Sequence, residues 1–256
     1  MIDCDSSLTR IKSSSLHGII CPNAPIEHCQ FSDSYDMTSL KPIILYGHAT
    51  GPNPWKVAMV FEELNVPYEM VIIPKAELKQ PTYEKICING RVPSIEDPNT
   101  GITLWESGAI IEYLVQTYDK ARKLGFATDS PNFWHAKQWL YFQVSGQGPY
   151  FGQAMWFKVF HQEKIQSAQD RYVNEIRRVS GVLNRALEGK EWLVGDKYSY
   201  ADVSFLTWYE AVIARVIGDA FDLAAEFPNL KAWLDRMRVR PAVAKVLKDK
   251  AAAATK

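Results

Sequence analysis

No run of about 18 uninterrupted apolar residues, the minimum for a membrane-crossing helix, occurs in the chain, and even its most apolar helical segment, Phe205 to Ile217, is broken by Glu210 and Arg215. An excess of either charge is missing as well, with 29 Lys+Arg against 29 Asp+Glu. Without a basic surplus or a block of like charge, the sequence does not describe a dedicated nucleic-acid binder or a membrane-surface protein. Cysteine is scarce, with four in 256 residues and no C-x-x-C pair, so neither a disulfide framework nor a structural zinc site is expected. His17, Cys21, His28 and Cys29 fall in one region but lack the close pairing of a metal site, and we expect no metal.

What is present is ordinary globular composition: 47% hydrophobic and 23% charged residues, enough for one or two domains with their own cores. The first 36 residues carry Ser, Pro and Asn without helical or alternating period, so residues 1–37 are expected to form a disordered leader. Asp3, Asp5 and Arg10 come early and no sustained apolar region follows, which argues against a secretory signal and for a cytoplasmic protein.

Beyond the leader the pattern is regular. Ile43 to Tyr46 reads as a short buried strand, and Gly47 to Pro54, with two Gly and two Pro, as a loop. Val57, Val60, Phe61 and Leu64 follow at helical spacing from Trp55 to about Asn65, and Tyr68 to Ile73 is a second strand. These make a β-α-β unit whose strands pair in parallel through a right-handed crossover. Val92 to Ile95 and Ile102 to Trp105 flank the turn sequence Pro98-Asn99-Thr100-Gly101 and read as a hairpin, and a helix follows Glu106-Ser107-Gly108. From Pro131 onward only the helical period survives. Ile165 to Leu187 carries apolar residues at steps of three or four, and Ser199-Tyr200-Ala201-Asp202 is close to a capping box that opens a further helix. The tail Ala251 to Lys256 is expected to fray. The predicted fold is therefore an α/β N-terminal domain over 38–124, with a mixed four-stranded sheet, and an all-α C-terminal domain over 131–250.

This order resembles a thioredoxin-like domain followed by the helical domain of the cytosolic glutathione transferases. The residues that carry the match are Asn89-Gly90-Arg91-Val92-Pro93, Leu104-Trp105-Glu106-Ser107-Gly108-Ala109-Ile110, and Trp192-Leu193-Val194-Gly195-Asp196 to Ser199-Tyr200-Ala201-Asp202. Gly51-Pro52-Asn53-Pro54-Trp55-Lys56-Val57 and Gly146-Gln147-Gly148-Pro149 resemble the fungal branch named for the yeast nitrogen-catabolite regulator. The likeness spans about residues 40 to 247.

A glutathione site needs a cradle for carboxylate, a backbone partner for the peptide and a donor at the sulfur. Ser107, at the positive end of a helix, suits the first need, and the resemblance implies that Glu106 meets the glutamyl ammonium. Ser107 also reads as a simple helix cap, and the two roles are compatible. The resemblance implies a cis Val92-Pro93 bond and a Val92 backbone that receives the cysteinyl peptide. Lys79 and Arg91 are the cations for the glycyl carboxylate, with Lys79 preferred because related sequences often carry a basic residue there. The loop from His48 to Trp55 has no Cys or Ser, which excludes a thiol nucleophile and leaves Asn53 and Thr50 as sulfur donors, with His48 and Tyr46 behind them. The resemblance places Asn53 beside the sulfur. By its own sequence Asn53 also reads as an N-cap, with Pro54 at the first helical position. For the electrophile we expect one or two of Tyr150, Phe151 and Trp156 to line an interdomain pocket.

The expected function is a glutathione S-transferase that joins glutathione to a small aromatic or apolar electrophile, as a homodimer with no nucleic-acid or membrane partner. The resemblance makes fungal secondary metabolism or detoxification the setting. The alternatives are a glutathione-dependent peroxidase or disulfide reductase, and a non-catalytic regulator on the same fold.

Overall fold

The computed structural model describes residues 39–218 and 220–255. The expected leader, with His17, Cys21, His28 and Cys29, lies outside the described residues.

Strand β1 (Ile43–Gly47) leads through helix α1 (Pro52–Leu64) to β2 (Tyr68–Ile72); after a 3₁₀ turn and the short α2 (Pro81–Glu84) come β3 (Ser94–Asp97), β4 (Ile102–Trp105) and α3 (Ser107–Tyr118). The sheet order is β2-β1-β3-β4. β1 and β2 are parallel, with Ile43 opposite Tyr68, while β3 runs antiparallel to both β1 and β4. The β-α-β unit and the hairpin both form as the pattern predicts. β3 begins at Ser94, two residues later than expected, because Pro93 has no N–H to give a ladder.

Helices then follow: α4 (Pro131–Phe142), α5 (Gly148–Met155), α6 (Gln166–Ala186), α7 (Tyr200–Val212), the short α8 (Leu223–Glu226), α9 (Pro228–Arg238) and α10 (Pro241–Ala254). The tail is helical to Ala254. π-helical stretches extend α4 over Gln143–Gln147, α5 over Trp156–Phe160 and α7 over Ile213–Ile217. Among the described residues no helix is long and apolar enough to cross a membrane.

Helix α1 sits between the two halves, packed on α3, α7 and α10, and every residue from Pro54 to Phe61 is buried. A helix buried all round should be apolar all round, yet α1 buries Lys56 and Glu63. Glu63 is matched: Arg240 donates to both its oxygens at 2.7 and 3.0 Å, and Lys123 lies 3.9 Å away. Lys56 has no such match.

The capping motif forms around Asp202, which is fully buried. Its carboxylate accepts from the Ser199 and Leu193 N–H groups, each at 2.9 Å, and from Trp233 Nε1 at 3.0 Å, tying α7 to α9 and to the loop before it. Burial pushes the carboxyl up to about 6 against the pull of these donors. Asp202→Ala strands four buried donors, these three and the Ser199 hydroxyl, so we expect a loss of about 3 kcal/mol and a melting temperature lower by on the order of 10 °C, read by thermal denaturation. An unchanged melting temperature would show that the donors find other partners.

Candidate functional site

A cleft of about 470 Å³ opens where the N-terminal ends of α1 and α3 and the residues before β3 face α5 and α7. Ser107 is the first residue of α3, Asn53 lies in the first turn of α1, and both line the cleft. Neither helix carries an acidic residue in its first turn. Two positive helix ends therefore meet in one cavity, that of α1 without an acidic neighbour and that of α3 beside the Glu106 carboxylate, an arrangement suited to a ligand carrying both carboxylate and ammonium.

Residue by residue, the structure sharpens the sequence reading. Asn53 is not the N-cap: α1 begins at Pro52, two residues before the expected Pro54, with Gly51 as the N-cap. Both Pro52 and Pro54 suit a first turn, and the helix takes the earlier one. The Asn53 amide oxygen instead accepts from Trp208 Nε1 at 2.9 Å. An indole N–H is a donor only, so the oxygen must face it and the NH₂ is the group left for the cleft. Trp208 reaches this position because Gly152 lets the indole lie close; a Cβ there would stand 3.3 Å from the ring.

Ser107 is buried, and the N-cap position falls on Glu106, with no side-chain cap bond at all. Glu106 holds φ +74°, ψ +112°, a conformation costly for a residue with a Cβ. That backbone leaves its side chain exposed at the cleft wall. The Val92-Pro93 bond is cis, as the resemblance implied. Val92 precedes β3 and lies outside its register, so its N–H and C=O are not spent on the sheet.

Arg91, and not Lys79, lines the cleft. Lys79 donates to the Asn89 carbonyl and packs behind Gly90, where φ is +56° and a Cβ would meet the lysine side chain at 2.7 Å. It braces the turn that carries Arg91. Thr50 is exposed, with its hydroxyl 3.3 Å from His48 Nδ1, and neither residue lines the cleft. Tyr46 gives its hydroxyl to Glu96, and burial together with that carboxylate pushes it up to about 12. On the helical side Trp156 lines the cleft. Phe151 is fully buried edge-on to Tyr209, and Tyr150 lies under the Arg178 guanidinium; neither reaches the cleft. The reason is helical phase: Gly148, Gly152 and Trp156 share one face, and Tyr150 and Phe151 point elsewhere.

Sequence reasoning missed Lys56, Gln143 and Trp208, all of which border the cleft. Lys56 is completely buried and donates to Gln143 Oε1; burial lowers its ammonium to about 7, against the raising effect of Glu106. A lysine flanked by Trp55, Val57, Ala58, Met59 and Val60 on a helix was the available signal.

A thioredoxin-like sheet with a cis-proline before its third strand, joined to a helical bundle across such a cleft, defines the class of glutathione transferases. Residues 45–122 match the glutathione S-transferase N-terminal domain and residues 148–241 its C-terminal domain. The chain belongs to the glutathione S-transferase family.

It is similar to fungal members of that family. It is 48% identical to the glutathione S-transferase-like protein gedE of Aspergillus terreus, over 82% of this chain and 96% of that protein. Protein URE2 of Kluyveromyces lactis is 33% identical over 89% of this chain and 67% of its own length. Among solved structures, Ure2p5 of Phanerochaete chrysosporium, cocrystallized with 1-(S-glutathionyl)-2,4-dinitrobenzene, is 38% identical with a TM-score of 0.78, covering 84% of this chain and 97% of that one.

Proposed function

We propose that the chain is a catalytic glutathione S-transferase that joins glutathione to a flat, apolar electrophile. In this reading Ser107 and the free N–H groups of α3 receive the γ-glutamyl carboxylate, and Glu106 receives the ammonium. The Val92 backbone pairs with the cysteinyl unit, as an edge strand accepts a peptide. Arg91 faces the glycyl carboxylate, with Lys79 supporting it from behind. The Asn53 NH₂ donates to the sulfur. The thiolate then attacks the electrophilic carbon, a C–S bond forms, and the leaving group departs with its bonding pair. Trp156 and Trp208 offer aromatic surface to a flat substrate. Trp134 and Tyr141, exposed on α4, are the side chains we assign to a homodimer contact. We place the reaction in fungal secondary metabolism or detoxification, in the cytoplasm.

The observation that carries the proposal is the orientation of Asn53, whose oxygen is held by Trp208 so that its donors stand at the positive end of α1. The test is glutathione binding by calorimetry followed by turnover with 1-chloro-2,4-dinitrobenzene and a panel of aromatic electrophiles. We expect saturable binding and conjugation. Binding without turnover on any electrophile would favour the regulator, and disulfide reduction without conjugation would favour the reductase.

A further inference from the structure

We infer that Lys56 is the buried counter-charge of the glutathione thiolate, so that the proton lost by the bound thiol is retained by the Lys56 amine instead of leaving for solvent. The inference rests on the proposed glutathione reading of the cleft and deepens it.

Lys56 follows Asn53 by three positions on α1 and so shares its face. It forms the cleft floor beneath the residue assigned to the sulfur, with no exposed surface of its own. Its hydrogen bonds run in one direction only. Lys56 Nζ donates to Gln143 Oε1, Gln143 Nε2 donates to Gln147 Oε1 at 3.0 Å, and Gln147 Nε2 donates to the Phe205 carbonyl at 3.1 Å. The π-helical turn over Gln143–Gln147 holds the two amides in line. Each amide turns its oxygen toward the lysine, so the relay orients the amine without neutralising it.

The contrast with Glu63 on the same helix is informative. Structural burial of that charge is accompanied by a two-pronged guanidinium, whereas Lys56 makes no ion pair among the described residues. A buried ammonium with one neutral partner leaves two donors unsatisfied, which is unfavourable unless an anion arrives or the amine sheds its proton. From α3 the charged group acting on it is Glu106; from the α4 extension and α7 it faces Gln143 and Trp208, both uncharged, while Cys87 and Arg91 line the same cleft. Burial lowers Lys56 to about 7, so the amine is largely neutral in slightly alkaline solution before glutathione binds. A thiolate in the cleft raises its proton affinity again. The exchange balances: the S–H bond breaks, an N–H bond forms on Lys56, and the net charge of the site stays constant.

The test counts protons. Glutathione binding is measured calorimetrically at about pH 7.5 in buffers of different ionisation enthalpy, S-methylglutathione is subtracted as the thiol-free control, and thiolate is read from its ultraviolet absorbance. With burial holding Lys56 well below the ordinary lysine range, we expect the wild type to release clearly less than one proton per thiolate formed. Lys56→Met should form less thiolate and release a whole proton for each. Gln143→Glu, which fixes the ammonium from the outset, should also release a whole proton per thiolate and guards against a Lys56→Met protein that does not fold. A wild type that releases a whole proton per thiolate overturns this inference while leaving the glutathione site standing, as does a Lys56→Met that matches wild type in both readings. Glutathione bound without any thiolate overturns this inference and the role of Asn53 at the sulfur, and no binding at all overturns the site reading with them.

Discussion

Asn53→Ala is expected to cut conjugation at pH 7 by about 10- to 100-fold and to recover most of the loss at pH 9. A thiol near pKa 8.5 is only about 3% ionised at pH 7, and lowering it by two units needs about 2.7 kcal/mol of preference for the thiolate. One hydrogen bond to a charged acceptor contributes about 1.5–3 kcal/mol, and the dipole of α1 adds to it. Removing the Asn53 NH₂ therefore shifts the thiol back toward its free value, where alkaline solution ionises it without help. Asn53→Asp separates the two ends of the side chain. It keeps an oxygen for the Trp208 N–H, 2.9 Å away in the native protein, and replaces the sulfur-facing donor with a negative charge. That variant should stay folded and lose more activity than the alanine. The pH profile of kcat/KM decides the matter: identical profiles for wild type and Asn53→Ala would mean that another group activates the sulfur.

Ser107→Ala and Glu106→Gln should each weaken glutathione binding by about tenfold or more, the equivalent of one lost charge-assisted hydrogen bond. Their melting temperatures should barely move, because neither side chain makes a cap bond in α3. Glu106→Gly is the sharper variant. Relief of the φ +74° conformation should leave the protein as stable as wild type or more so, while the ammonium partner is gone. A stable Glu106→Gly protein that binds glutathione normally would show that the strained glutamate has no part in binding. If both properties fall together, Glu106 is structural.

The elements that sequence alone made legible are those with short-range causes. The helix opening at Ser199 to Asp202 is written in four adjacent residues, and the strand pair 43–47 and 68–72 in two short runs around one helix with apolar residues at helical spacing. The cleft was harder to read because its chemistry is settled at long range. Nothing local to Asn53 says that Trp208 takes its oxygen, 155 positions later in the chain. Thr50 and Lys79 were attractive by residue type, and the structure turns one to solvent and the other behind Gly90. Tyr150 and Phe151 were grouped with Trp156 by composition, although the step of four from Gly148 to Gly152 to Trp156 already selected the cleft face. The π-helical turn at Gln143–Gln147 breaks the regular helical period, so the pairing of those amides with Lys56 had no periodic signal.

The central claim, that this cleft binds glutathione with its sulfur at the head of α1, is tested most directly by a crystal structure of the chain with glutathione. The account predicts the sulfur within about 3.5 Å of Asn53 Nδ2, the cysteinyl backbone paired with Val92 and the glutamyl carboxylate at the start of α3. A sulfur lying instead against Thr50 and His48, outside the cleft, or glutathione bound elsewhere on the protein, would contradict it.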